Sequence, residues 1–199
     1  MIVHCDHEGI SKASATIKNG GILIFPTDTV YGIGCDPFNQ DAVRKIYKIK
    51  GREESKQLPV LGYSFSEVAK IAVFDDLSLR IASRFWPGPL TLVLPVKGGE
   101  ISRSLGMDKK IAVRVPDHPC LLQLLRICGL LIGTSANRSG QPPATNASGV
   151  VGKLEGYDVL LDGGDIPNPA ESTIVEVTGG KVGILRKGKI DEKEIMSLV

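Results

Sequence analysis

Aromatic residues are scarce, 5% of 199 residues with one tryptophan, which leaves few stacking platforms for bases and argues against a nucleic-acid-binding module. An excess of one charge is missing too. Twenty-four basic residues against 22 acidic ones give a net charge of +2, far from a polycation that wraps nucleic acid. The longest apolar runs, 21–26 and 90–96, fall well short of the ~20 residues of a membrane helix, so no membrane partner is expected. No basic stretch followed by a long apolar one opens the chain, and a cytoplasmic location is expected. Cys5, Cys35, Cys120 and Cys128 lie far apart without a C-x-x-C pair. Reduced thiols engaged in packing are therefore expected, not a disulfide framework or a zinc ribbon. The three histidines have no Ser or Cys partner at triad spacing, and neither G-x-x-x-x-G-K-[ST] nor G-x-G-x-x-G occurs, which argues against classical triad hydrolysis and the standard nucleotide loops. His4-Cys5-Asp6-His7 has metal-ligand types but no distant partners, and Asp28 with Asp162 and Asp165 is a weak magnesium set, so no metal site is assigned.

What is present is an alternation of helical and strand patterns from one end to the other, without a repeat or a low-complexity linker. Helices are expected at 9–18, from Asn39 to Gly51, at 66–71, from Asp76 to Phe85, at 118–128, weakly up to Leu154, and from Asp191. Strands are expected at 22–25, 58–61, 90–96, 111–115, 130–133 and 159–161, with a closing hairpin of 173–177 and 181–185. Segments 26–37, 134–145 and 162–172 read as loops, and 97–110 as an exposed, mobile connection. The fold class that follows is α/β, a single domain over 1–199 with one mixed sheet and flanking helices.

Between Arg44 and Lys56 six basic residues face two acidic ones. Lys50, Arg52 and Lys56 flank Gly51 in a turn after a helix, where they can converge on one polyanion such as a triphosphate. A solvated basic helix end favoured by the macrodipole would give the same composition. After a strand, Thr134, Ser135, Asn137, Arg138 and Ser139 supply hydroxyls, an amide and a guanidinium within one loop, an inventory suited to an oxygen-rich ligand and equally to a structural turn. The run 26–34 leaves a strand with Thr27, Asp28, Thr29 and two glycines. A substrate loop and a turn with self-bonded side chains both have this composition.

Taken in order, Pro26-Thr27-Asp28-Thr29-Val30-Tyr31-Gly32, Lys50-Gly51-Arg52 with Lys56, Trp86-Pro87-Gly88-Pro89-Leu90-Thr91, Val113-Arg114-Val115-Pro116, Ser135-Ala136-Asn137-Arg138-Ser139-Gly140 and Glu171-Ser172-Thr173 resemble the YrdC family, the threonylcarbamoyl-adenylate synthases of tRNA modification. The resemblance is strongest over 9–188. It implies a twisted, open mixed sheet with a concave basic cavity that binds ATP, L-threonine and bicarbonate, with Mg2+ on the triphosphate. It also implies a tRNA or a tRNA-modifying transferase complex as partner. By motif position, Lys50 and Arg52 would be catalytic on the phosphates. Lys56, Thr134, Ser135, Asn137, Pro142 and Arg186 would bind nucleotide, and Thr29, Arg114 and Ser172 would hold threonine. Gln57 stands where proline is common in the family, and Leu61 where some members have histidine. The additional C-terminal domain of the longer branch is not expected. The alternatives are an RNA-binding module and a YciO-like paralogue of the same fold without this activity.

Overall fold

The expected strands are present, but they are divided between two sheets. The computed structural model describes residues 1–106 and 109–199. In chain order the elements are β1 (Ile2–His4), α1 (His7–Lys18), β2 (Leu23–Phe25), β3 (Gly32–Gly34), α2 (Gln40–Lys50), β4 (Val60–Gly62), α3 (Phe65–Val68), α4 (Asp76–Phe85), β5 (Leu90–Pro95), α5 (Glu100–Leu105), β6 (Lys110–Arg114), α6 (Pro119–Cys128), β7 (Leu130–Ile132), β8 (Thr134–Ser135), β9 (Val159–Asp162), β10 (Thr173–Thr178), β11 (Lys181–Arg186) and α7 (Glu192–Met196). The smaller sheet runs β1-β9-β2-β3-β8 and the larger β11-β10-β5-β6-β4-β7. Both mix parallel and antiparallel pairs. The fold is thus mixed α/β, in two sheets where one was expected. Among the described residues no helix is long and apolar enough to cross a membrane.

The sheets meet where β3 leaves toward β7. Ile132 N donates to Cys35 O at 2.9 Å, and a Cβ on Gly34 would lie 1.8 Å from Ile132 O. Only glycine permits this backbone contact. β3 and β8 were hidden from the sequence inside segments rich in Gly, Thr and Ser, which carry no apolar run for a strand pattern to register.

Period-two alternation then determines where the core and the cavity lie. On β5, Leu90, Leu92 and Leu94 enter the core, and on β6 Ile111 and Val113 do the same. The intervening Thr91, Val93, Ala112 and Arg114 face a cavity on the other side. β2 is buried on both faces: Ile24 at its centre, with Ile22 just before the strand, joins the main core, while Leu23 and Phe25 pack with Leu121, Leu124 and Leu125 of α6.

The helix signals hold with small shifts. Asp6 accepts from Gly9 N at 2.8 Å and caps α1; Asn39 accepts from Ala42 N at 3.0 Å and caps α2. The cap of α4 is Asp75, one residue before the expected Asp76, because Ser78 completes a reciprocal capping box with it. The weak helix expected up to Leu154 is a series of turns, interrupted by Gly152 at a φ of 75°. The connection 97–110 is largely exposed, as expected, but it is not without regular structure. It contains α5, whose Ile101 is buried in the core and whose Ser104 donates to Pro37 O at 2.6 Å; residues 107 and 108 of that expectation lie outside the described residues.

The cysteine expectation is corrected. Cys5 and Cys120 form a disulfide, with Cα atoms 5.9 Å apart across 115 residues of sequence. No local spacing announces this pair, because only the packing of α1 on α6 brings its halves together. Cys35 is free and buried, and Cys128 is free and half-buried. Burial pushes the Cys128 thiol up to about 11, which keeps it protonated and inert. Cys120→Ala should lower stability by about 2–4 kcal/mol, the usual worth of a cross-link closing so large a loop. Denaturant titration with and without reductant checks this: reduced wild type should fall to the variant's midpoint, and the variant should not respond to reductant.

Candidate functional site

A cavity of about 910 Å³ opens between the two sheets. The turn after α2 supplies its cations. Gly51, with a φ of 58°, ends that helix and lets Arg52 N bond back to Tyr47 O at 3.0 Å. The turn sends Lys50, Arg52 and Lys56 toward one wall. Their situations differ. Lys50 is 2% exposed, and its ammonium donates to Ser135 O, to Asn137 O at 2.8 Å and to Asn137 Oδ1 at 3.4 Å. An ammonium has three N–H donors, so these oxygens absorb all of them. Lys50 therefore braces the loop after β8 and offers a ligand its charge. Arg52 donates Nε to Lys56 O and Nη2 to Gln57 O, both at 3.1 Å, and keeps three N–H groups free of these bonds. Lys56 is solvent-facing with Glu53 at 3.5 Å.

Arg186 completes the cluster from β11. A register shift on that strand, between Ile174 and Val175 of β10, leaves Leu185 as the extra residue, so that Leu185 and Arg186 both line the cavity. Arg186 donates to Ser172 O at 3.1 Å, Ser172 Oγ at 2.9 Å and Glu171 Oε1 at 3.0 Å. Burial first, and then the Arg52 charge, lower the pKa of Lys50 to about 8. Arg186 is lowered by burial and by Arg52, against Glu171. Like charges thus converge in a partly desolvated wall, an arrangement relieved by an anion.

On the opposite wall Arg114 is 6% exposed. Its Nε donates to Gly88 O at 2.9 Å, Nη1 to Thr29 Oγ1 at 3.2 Å and Nη2 to Asp28 Oδ1 at 2.6 Å. A guanidinium has five donors, so one N–H on each terminal nitrogen remains unspent among the described residues. The 26–34 loop resolves into two parts. Thr27 is the self-bonded turn residue: its Oγ1 accepts from Thr29 N and Val30 N and donates to Val30 O. Thr29 then donates to Thr27 Oγ1 at 2.9 Å and accepts from Arg114. Asp28, considered from sequence as a weak magnesium ligand, is instead the ion-pair partner of Arg114. Asp162 accepts from Tyr31 OH and Gly164 N, and Asp165 accepts from Asn146. Among the described residues no group of three metal-ligating side chains assembles.

Thr134 and Ser135 lie on β8, opposite Ile33 and Gly32 of β3. Their hydroxyls line the cavity without a hydrogen bond among the described residues. Asn137 turns its amide into the loop, donating to Arg138 O and Gln141 O, while Pro142 lines the mouth. Ser172 Oγ shares a 3.0 Å bond with Thr91 Oγ1 of β5. All eleven residues singled out from sequence therefore border one cavity. Sequence reasoning missed Thr91, Lys110 and Glu176, the last two paired at 2.7 Å across the wall. Thr91 stood in a motif of the resemblance without a role, and Lys110 and Glu176 were signalled only by the outward phase of β6 and β10.

The chain is 37% identical over 200 residues to the threonylcarbamoyl-AMP synthase of Bacillus subtilis, covering 96% of this chain and 56% of that one. It superposes with a TM-score of 0.93 and 32% identity on a crystal structure of Pyrococcus abyssi Sua5 complexed with L-threonine, covering 100% of this chain and 61% of that one. It thus spans somewhat over half the length of these relatives. Escherichia coli YciO shares the fold at a TM-score of 0.88 and 23% identity, with 98% of each chain covered. Residues 15–188 match the Sua5/YciO/YrdC family model, described as "Telomere recombination". With conserved architecture across that whole span and the cavity described above, the chain belongs to the Sua5/YciO/YrdC family.

Proposed function

We propose that this chain is a threonylcarbamoyl-AMP synthase, a nucleotidyltransferase that joins L-threonine, bicarbonate and ATP and releases pyrophosphate. The observation that carries the reading is the pairing of two unlike anion sites on one cavity: Lys50, Arg52 and Arg186 on one wall, and the half-spent guanidinium of Arg114 on the other. The similarity to Sua5, a relative crystallised with L-threonine, supports the same reading.

In this reading the carboxylate of L-threonine takes the two spare N–H groups of Arg114, and Thr29 and Ser172 border the amino acid. Thr134, Ser135, Asn137, Pro142 and Arg186 border the nucleotide, with Lys56 at the mouth. Bicarbonate condenses with the threonine amine, the C–N bond forming as a C–OH bond breaks and water leaves, and an oxygen of the resulting N-carboxylate attacks the α-phosphorus of ATP. That P–O bond forms as the bond to pyrophosphate breaks. Charge develops on the transferring phosphate and the leaving group, which is what Lys50 and Arg52 would neutralise. No nucleophilic side chain is required. Magnesium would arrive with the triphosphate as part of the substrate; Glu171 and Glu176 on the cavity wall are already committed to Arg186 and Lys110. The product is a reactive mixed anhydride, consumed in the cytoplasm by a transferase acting on tRNA.

Pyrophosphate release by the purified chain, with ATP, bicarbonate and magnesium, tests this. Release should require both L-threonine and bicarbonate, and L-serine should substitute poorly. Binding of RNA with a steep salt dependence and no release would sink the reading. Arg52→Ala should reduce release about a hundredfold, the scale of one lost transition-state donor. Lys12→Ala, on the exposed face of α1 with only a surface pair to Glu8, should leave it unchanged.

A further inference from the structure

Arg114 is held from behind by a residue that does not itself line the cavity. Asp28 Oδ1 accepts from Arg114 Nη2 at 2.6 Å and from Asp117 N at 3.1 Å. Its other oxygen, Oδ2, is buried and has no hydrogen-bond partner among the described residues. A buried carboxylate oxygen left unpaired is costly, and native structures rarely tolerate one without a reason. The residue after Asp117 is His118, and its Nδ1 is likewise buried and without a partner. His118 packs against Gly163 and lies within the electrostatic reach of Asp28, which opposes the lowering of its pKa by burial. A buried acceptor on Asp28 and a buried ring nitrogen on His118 are thus each without a partner, and the amide of Asp117, the residue before His118, is already bonded to the same carboxylate.

We propose that Asp28 and His118 form a positioning pair for Arg114, a turn of the imidazole letting its Nδ1 hydrogen reach Asp28 Oδ2 and so hold the carboxylate that aims the guanidinium at the substrate. This rests on the reading that Arg114 receives the threonine carboxylate. Its physical content is orientation. Asp28 offers two oxygens; with one bonded to Arg114 and Asp117 and the other to His118, the carboxylate cannot rotate about its last bond. Arg114 then keeps its two unspent N–H groups directed into the cavity. This assignment selects the Nδ1–H tautomer of neutral His118, leaving Nε2 as the acceptor. His118 is thereby given a role in amino-acid affinity although it does not line the cavity and makes no hydrogen bond to Arg114.

The test compares two polar replacements at one position. The amide of His118→Asn falls near the Nδ1 position, and that of His118→Gln falls near Nε2. Steady-state pyrophosphate release should show the L-threonine KM raised about tenfold in His118→Gln and within about threefold of wild type in His118→Asn. The ATP KM and kcat should stay within about twofold in both, a split that a merely structural lesion would not produce. Asp28→Asn, isosteric but uncharged, should raise the same KM about tenfold or more with the ATP KM unchanged. Equal threonine KM values in the two His118 variants, or a wild-type value in His118→Gln, would overturn the pair. A wild-type chain without threonine-dependent release would instead sink the functional reading, a separate and recognisable result.

Discussion

Lys50→Met should slow pyrophosphate release by about a hundred- to a thousandfold, on the scale of losing one preorganised donor to developing charge, although the lysine gives no free N–H to a ligand. The reason is its double duty. The ammonium ties Ser135 O, Asn137 O and Asn137 Oδ1 together, and Ser139 N returns a bond to Lys50 O at 2.8 Å. Methionine keeps the stem and deletes the donors, leaving carbonyls without partners at about 1–3 kcal/mol for each that water cannot reach. A stability loss of about 2–3 kcal/mol by denaturant titration should accompany the loss of activity.

The pH response separates the charge of Lys50 from its bracing. Burial holds its pKa near 8, below the ordinary 10.5. From about pH 8 to 10.5 the folded chain has released a proton that the unfolded chain still binds, so this group's contribution to stability rises with pH across that window. Its cost is greatest below pH 8. ATP affinity should move the other way, weakening as the charge is lost above pH 8. Calorimetric titration with ATP from pH 7 to 9.5 checks this. Lys50→Met should lack this limb, and a wild-type affinity flat across the range would refute the role of the charge.

Arg114→Leu should abolish saturation by L-threonine and also destabilise the fold by about 3–5 kcal/mol, because Asp28 is left charged and buried without its partner. Two charge-assisted bonds to a carboxylate contribute about 3–5 kcal/mol, so the threonine KM should rise at least a hundredfold. A double variant, Arg114→Leu with Asp28→Leu, distinguishes the two effects. It should regain most of the lost stability, since an apolar pair replaces a buried ion pair at little cost, and should regain no threonine response. If it recovers threonine use, Arg114 is not the carboxylate site.

Legibility from sequence varied with the range of the cause. Helix ends were readable to within one or two residues at α1, α2, α4 and α6, because caps and stops such as Asn39, Gly51 and Gly129 act on neighbouring backbone groups. The apolar strands were readable from their runs. β1, β3 and β8 were not, because strands of two or three residues are established by their neighbours in the sheet. The resemblance supplied the membership of the site, and the outward phase of β5 and β6 explains why Thr91 and Arg114 belong to it. The disulfide was illegible for the same reason as the Arg114–Asp28 pair: residues 115 and 86 positions apart come together only through packing.

By itself, then, the sequence determined the alternating elements, the basic turn around Gly51, the lack of the two standard nucleotide-loop motifs, and the family to which its motifs point. These depend on local propensity and on residue type. The tertiary structure decided the split into two sheets, the use of Lys50 as a brace, the ion pair that holds Arg114 and the register shift that admits Arg186. Each of these depends on which groups are buried together and which donors are already spent, and burial is a property of the packed chain.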